Sequence, residues 1–175
     1  MLIQGYQDYW PAQFQQISAI LQAAMMPNDI RIEHIGSTAV PGLAAKPIID
    51  IDIVLEGSIH FVDIKSSLET IGYFHNGDQG IQDREVFKRR SSKLHPILDQ
   101  IPHHLYVCPV TSQELKRHLL FRDYLRKNTK ARDQYQQLKF KIAQFALQDR
   151  KRYAQLKEQM ARSMIESFLT LAEEK

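Results

Sequence analysis

The sequence is poor in cysteine and has no long apolar run. Its one cysteine, Cys108, excludes an internal disulfide bond, and this usage is typical of a reducing compartment. No apolar run approaches the roughly 18 residues that a membrane-spanning helix needs. The N-terminal segment "MLIQGYQDYWPAQF" lacks the basic region, apolar core and cleavage site of a signal peptide. We therefore expect a cytoplasmic protein with no membrane partner.

Several common ligand-binding motifs are missing as well. No Cys/His spacing resembles a structural zinc site. The segment "GSTAVPGLAAK" is not a Walker A loop, because Gly42 is followed by Leu43 and Ala44 rather than by lysine and serine or threonine. Neither an RNA-binding aromatic motif nor a regular DNA-binding helix pair is present, so we do not expect a nucleic acid partner.

The charges that are present are unevenly distributed along the 175 residues. Residues 1–110 contain 8 Lys and Arg against 12 Asp and Glu, whereas residues 111–175 contain 15 against 8. A basic part beside an acidic part could hold a phosphate-bearing ligand next to a carboxylate site. The same asymmetry is also typical of ordinary solvated helix faces, and charge alone does not separate the two.

The hydrophobic pattern changes near Thr111. Before it, helical periodicity over 10–25 and 60–71 alternates with strand-like segments, and after it the pattern is helical only. Thr111 or Ser112 could cap the first of these helices, with Glu114 placed for a capping box. The organisation predicts an α+β fold, with a mixed part over 1–110 and a helical segment over 111–175 packed on it as one structural domain. The predicted strands read "IRIEHI", "IIDIDIVL", "REVFKRR" and "HHLYVCPV", and "GYFHNGDQG" predicts a loop or hairpin.

Asp50 and Asp52 lie inside the strand-like segment "IIDIDIVL". Because strand side chains alternate between faces, the two carboxylates share one face, with Cα atoms about 6–7 Å apart. An unpaired buried carboxylate is costly. A hard cation such as Mg²⁺, held by carboxylates and substrate phosphates, would compensate this charge. The alternative is a solvated face on a one-sided sheet.

Gly36 and Ser37 precede this strand by a short spacer. A glycine–serine turn offers backbone N–H groups and a hydroxyl without a bulky side chain, which suits close approach by a phosphate. A strand, Gly-Ser, a short helix and a strand with Asp-x-Asp resemble the nucleotidyltransferase superfamily related to DNA polymerase beta. "EHIGSTAVPGLAAKPIIDI" resembles the signature of the GrpB-like family, which has the nucleotidyltransferase fold. "YQDYWPAQF", "HHLYVC", "FRDYLRKN" and "YQQLK" resemble further family segments in the same order, over nearly the whole chain.

The resemblance implies a nucleotidyltransferase-type mixed β-sheet with flanking helices and a C-terminal helical segment. It also implies a Mg²⁺- or Mn²⁺-dependent transfer of a nucleotidyl group from a nucleoside triphosphate to a small molecule or a protein side chain. Gly36 and Ser37 would hold phosphates, and Asp50 and Asp52 would hold the metal ion. Basic residues would bind the triphosphate, although each could equally be a solvated surface charge: they are Lys46, Arg122, Lys139 and Lys157.

One departure from the superfamily pattern concerns the third carboxylate on a neighbouring strand. The expected neighbour, "HHLYVCPV", has no acid but presents His104, which could ligate a metal or take a proton and is therefore a candidate catalytic residue. Glu85 is the only acid in the candidate strands that could substitute. The missing acid favours a second hypothesis, a nucleotide- or phosphometabolite-binding protein without catalysis. A third is a protein-interaction module with a basic helical face.

Overall fold

The fold, obtained as a computed structural model, is described for residues 1–26, 30–57, 59–90 and 92–174. Five helices and five strands lie in these ranges, and a short 3₁₀ turn spans Ser37–Ala39. The helices are α1 (Trp10–Ala24), α2 (Phe61–Thr70), α3 (Gln113–Lys127), α4 (Thr129–Phe145) and α5 (Arg150–Glu173). The strands are β1 (Arg31–Ile35), β2 (Ile49–Leu55), β3 (Tyr73–His75), β4 (Glu85–Arg89) and β5 (His103–Pro109).

The strands form one mixed sheet in the order β1-β2-β5-β4-β3. Only the central β2/β5 pair is parallel, and the other neighbours are antiparallel. In this register Asp50 lies opposite His104, and Asp52 lies opposite Tyr106. The expected neighbour of the aspartate strand is therefore confirmed. The segment "GYFHNGDQG" contributes the short edge strand β3 as part of a hairpin with β4.

Alternation along the central strands separates an apolar face from a polar face. Ile49, Ile51 and Ile53 of β2 are fully buried in the main core, where α1 and α2 pack. Asp50 and Asp52 project from the opposite face because successive side chains point to opposite sides of a strand. Burying three isoleucine side chains stabilises the fold by about 1.5–3 kcal/mol each. That burial fixes the register and thereby the direction in which the aspartates point.

The helical segment covers the polar face and shares a second core with the first part of the chain. Ile3, Val40 and Leu43 are buried together with Tyr135 of α4 and Phe168 of α5. These contacts close α4 and α5 over the loop that connects β1 with β2. The result is the α+β fold, a five-stranded mixed sheet with flanking helices.

Three side chains cap the N-termini of the C-terminal helices by accepting a backbone N–H bond. Ser112 caps α3 by accepting from the N–H of Leu115, so the capping box with Glu114 is not formed. Instead, Glu114 bonds to His118 one turn further along α3. Asn128 and Asp149 cap α4 and α5 in the same way. Within the described ranges, no helix is both long enough and apolar enough to span a bilayer.

Candidate functional site

A cavity of about 680 Å³ lies between the polar face of the sheet and the helices α3, α4 and α5. A volume of this size lies within the roughly 300–1,000 Å³ of small-molecule sites. All of the predicted site residues line it except Asp52 and Arg122. Those that line it are Gly36, Ser37, Lys46, Asp50, His104, Lys139 and Lys157.

The Gly36-Ser37 turn sits directly against Asp50. Gly36 has a φ of 71°, a conformation that side chains disfavour, and a Cβ atom there would lie 2.3 Å from Asp50 Oδ2. Behind the turn, the Thr38 hydroxyl donates to the Ile48 carbonyl at 3.2 Å. Thr38 Oγ1 also lies 3.1 Å from Nε2 of the buried His34. Position 36 therefore requires glycine, because the backbone there approaches the Asp50 carboxylate closely.

Three arginines from α3 and α4 hold β1 and the loop after it without lining the cavity. Arg122 also forms a 2.6 Å ion pair with Glu33, so its guanidinium is occupied by partners on the protein. Arg122 thus ties α3 to β1 and does not line the cavity. The arginine bonds to carbonyl oxygens are Arg122 Nη1 to His34 at 3.0 Å, Arg126 Nε to Ala39 at 2.9 Å and Arg132 Nη1 to Pro41 at 3.2 Å.

Lys139 is a buried lysine with only 2% of its surface exposed. Its Nζ donates to Ser37 Oγ at 3.0 Å and to the carbonyl of Ala44. Neither partner carries a charge. Burial, helped by the nearby positive charge of Lys157, holds the pKa of Lys139 well below its usual range. This residue therefore ties the glycine–serine turn to α4 at a cost in stability.

Two further lysines face the same region. Lys46 Nζ lies 4.1 Å from the centre of the Tyr153 ring, and burial lowers the pKa of Lys46. Lys157 is half-buried, and Tyr135 with Tyr153 and Asp50 raises the pKa of Lys157, so it is a cation at neutral pH. The cavity wall thus combines positive charge with aromatic rings, which suits a ligand with phosphates and a planar group.

Asp50 and His104 form the exposed edge of the cavity floor. His104 Nδ1 lies 2.8 Å from Asp50 Oδ1, and the side chains are 54% and 28% exposed respectively. Both groups are therefore accessible to a ligand. Of the two aspartates, only Asp50 lines the cavity.

Asp52 has no exposed surface and is covered by His118 of α3. His118 Nδ1 lies 2.8 Å from Asp52 Oδ2, and its Nε2 lies 3.3 Å from Glu114 Oε1. Burial alone would lower the pKa of His118, but the two carboxylates outweigh it and raise the pKa to about 9. The compensating charge for the buried Asp52 carboxylate is therefore an imidazolium. Sequence reasoning missed His118, although its spacing of four residues from Glu114 on a predicted helix was visible.

Glu85, the strand acid expected to substitute for a third carboxylate, faces away from the aspartates. Glu85 is opposite Val107, whose side chain belongs to the core on the other face of the sheet. The Glu85 carboxylate lies 2.5 Å from His75 Nε2, away from the aspartates. Glu114 lines the cavity instead and comes from a helix. Glu114 is thus linked to Asp52 through His118, from a helix that no strand pattern could reveal.

These residues do not fit a pair of metal ions held between Asp50 and Asp52. Asp52 is sealed by an ion pair with His118, and Asp50 already contacts His104. In the part of the chain that the structure describes, no group of three His, Cys, Asp or Glu side chains is arranged to hold a metal ion. The described lining thus combines an incomplete set of metal ligands with lysines and arginines whose charge suits an anion.

The sheet, the Gly-Ser turn and the aspartate strand define a protein with a nucleotidyltransferase-like fold. The structure of the Cid1 poly(U) polymerase is similar, with a TM-score of 0.52 and 14% identity, covering 74% of this chain and 41% of that one. At this identity the likeness concerns the fold alone.

The chain belongs to the GrpB family. The family model described as "GrpB protein" matches residues 1–167. The crystal structure of the conserved protein GrpB from Enterococcus faecalis matches with a TM-score of 0.77 and 33% identity, covering 97% of this chain and 96% of that one.

Relatives from other bacteria share about a third of their aligned residues with this chain. UPF0157 protein BH1888 of Halalkalibacterium halodurans is 33% identical over 160 residues, which cover 91% of this chain and 78% of the relative. UPF0157 protein YqkA of Bacillus subtilis is 33% identical over 138 residues, which cover 79% of this chain but only 38% of the relative. The aligned region therefore spans little more than a third of YqkA.

Proposed function

We propose that this chain binds a nucleoside triphosphate in the cavity between the sheet and α3 to α5. The phosphates would lie against the Gly36-Ser37 turn, within reach of Lys46, Lys139 and Lys157. The observation that carries the proposal is the buried Lys139, whose ammonium group has only a hydroxyl and a carbonyl as hydrogen-bond partners in the described part of the chain. A phosphate would supply the negative charge that this lysine lacks.

The aromatic rings of the cavity support a nucleotide over a simple polyphosphate. Phe121, Tyr135 and Tyr153 line the wall next to the lysines. Phe121 is the partly exposed ring of the three, whereas Tyr135 and Tyr153 are buried, so a nucleobase would contact Phe121. Contact with an aromatic ring does not select one base. Nucleotide binding without turnover is the function that the site supports best, because the carboxylates do not fit the metal pair of a transferase.

Nucleotidyl transfer is the second candidate, favoured by the position of Asp50. Its accessible carboxylate lies against the turn that would hold the phosphates. A small molecule or a protein side chain would then be the acceptor, with Mg²⁺ or Mn²⁺ supplied together with the nucleotide. Release of pyrophosphate in the presence of candidate acceptors would distinguish a transferase from a binding protein.

Replacing Lys157 with alanine is expected to weaken triphosphate binding by about 10- to 100-fold. A hydrogen bond to a charged group contributes about 1.5–3 kcal/mol, and each 1.4 kcal/mol changes affinity tenfold. Calorimetric titration with ATP, GTP, CTP and UTP, each with Mg²⁺ and with a chelator, measures the effect. Lys46→Ala should act in the same direction.

Lys151→Ala is the matched control, because Lys151 is exposed on the same helix and does not line the cavity. It should bind like the native protein. The proposal fails if no triphosphate binds to the native chain, or if Lys157→Ala and Lys151→Ala give the same affinity.

A further inference from the structure

The buried carboxylate that resembles a metal ligand is already neutralised by a side chain. Asp52 has no exposed surface, and His118 Nδ1 contacts its Oδ2 at 2.8 Å. The other nitrogen of the same ring lies 3.3 Å from Glu114 Oε1. One imidazole therefore bridges two carboxylates, and its Nδ1 lies against the Asp52 oxygen to which a divalent cation would bind.

We propose that the His118 side chain takes the place of a divalent cation at Asp52, so that the native protein binds no metal ion there. The inference concerns the same cavity as the proposed nucleotide site, but it is carried by different residues. It holds whether or not a nucleotide binds to the lysines.

The surroundings of the ring explain why it stays in place. Tyr106 lies beneath the imidazole, with ring centres 6.1 Å apart, and the Cys108 thiol donates to Asp52 Oδ1 at 4.0 Å. Both Asp52 oxygens thus already have a partner. Arg84 stacks over the Tyr106 ring at 4.8 Å and adds a positive charge nearby. A metal ion would have to displace the histidine and enter a site that is already electrostatically balanced.

Helix α3 holds the His118 ring in this position. Glu114 and His118 are four residues apart, so their side chains lie on one face of the helix. The Ser112 cap and the buried Leu115 fix that helix against the sheet. Both ring nitrogens face carboxylate oxygens, which only accept hydrogen bonds, so both nitrogens donate and the ring carries a positive charge. Because the fold fixes both the position and the charge of the His118 ring, the cation that pairs with Asp52 is a side chain of the protein itself.

The inference predicts that removal of His118 unmasks a metal site. In His118→Ala, Asp52 and Glu114 would lose the cationic side chain that contacts both of them, and we expect a lower melting temperature. Mg²⁺ or Mn²⁺ alone, without nucleotide, should then raise the melting temperature by about 5–10 °C at a concentration of 100 times its Kd. The native protein should melt at the same temperature with either ion or with a chelator.

The double variant His118→Ala/Asp52→Asn is the control. It should lose the response to metal and regain part of the stability, because no unpaired carboxylate remains buried. Counting bound Mn²⁺ by electron paramagnetic resonance should give none on the native protein and one on folded His118→Ala. If His118→Ala folds only when metal is present, the result supports the inference as well.

Two results would overturn the inference. One is Mn²⁺ binding by the native protein that Asp52→Asn abolishes, a measurement that needs no variant at position 118. The other is a folded His118→Ala protein that binds no metal, which would make the bridge an ordinary structural ion pair. Because the titrations contain metal alone, failure of nucleotide binding would leave both results interpretable.

Discussion

Replacing Lys139 with methionine is expected to stabilise the unliganded protein and to abolish triphosphate binding. The lysine is fully buried, and its hydrogen bonds to Ser37 and Ala44 do not compensate its charge. A methionine of similar length removes the desolvation cost. Replacing buried ionic groups by apolar side chains stabilises other proteins by about 1–4 kcal/mol, and each kcal/mol raises the melting temperature by about 2–4 °C in a chain of this size.

The effect of Lys139→Met should depend on pH. The pKa of Lys139 is lower in the folded protein than in the unfolded chain, so unfolding takes up a proton at this residue. The stability of the native protein relative to Lys139→Met therefore rises as pH increases toward about 10.4, the ordinary lysine pKa. Thermal denaturation of both proteins from pH 6 to pH 10 measures the difference.

Lys141→Met is the appropriate control, because Lys141 is exposed on the same helix. It should change neither stability nor binding. A Lys139→Met protein that is less stable than the native protein at every pH would show that the lysine contributes net stability. A Lys139→Met protein that binds triphosphates normally would exclude Lys139 from the phosphate site.

Replacing Gly36 with alanine is expected to destabilise the fold by about 2–6 kcal/mol. The new Cβ would meet Asp50 Oδ2 at 2.3 Å and Asp50 Cβ at 3.0 Å, and the φ of 71° disfavours any side chain. Backbone strain of this kind costs about 1–3 kcal/mol, and overpacking adds about 1–3 kcal/mol. Relief of the clash would also move Asp50 from the cavity floor, so ligand binding should weaken. Chemical denaturation and calorimetry measure the two effects.

The substitution Gly77→Ala distinguishes backbone strain from the close contact with Asp50. Gly77 has nearly the same φ, 72°, but no atom lies within 4 Å of a Cβ built there. Gly77→Ala should therefore show the backbone cost alone. Adding Asp50→Ala to Gly36→Ala removes the carboxylate from the contact and should recover part of the stability. Equal losses for Gly36→Ala and Gly77→Ala would mean that close packing against Asp50 is unimportant.

Local pattern was sufficient to predict much of the sheet. The isoleucines of "IIDIDIVL" alternate with polar residues. Once three isoleucines are buried on one face, the residues between them must point to the opposite face. This alternation predicted that Asp50 and Asp52 share a face, as they do. The hairpin strand β3 was harder to recognise, because three residues carry too little pattern to distinguish a strand from a loop.

Residue types alone did not reveal which charges meet. Lys139 and Ser37 are 102 positions apart, and their contact exists because α4 packs over the loop after β1. Arg122 has the same chemistry as a phosphate ligand, yet the helix directs it to Glu33 and to a backbone carbonyl. Only the packing of helices on the sheet separates a residue that lines a cavity from one that supports its wall.

The aspartate pair shows the same division most clearly. By itself the sequence determined the strand, the shared face and the need for a positive partner, because these follow from alternation and from the cost of a buried carboxylate. The tertiary structure decided which cation pairs with Asp52. Helix α3 places His118 against Asp52, although the two residues are 66 positions apart in the sequence. A charge balance depends on distance in space, and spacing along the chain does not encode it.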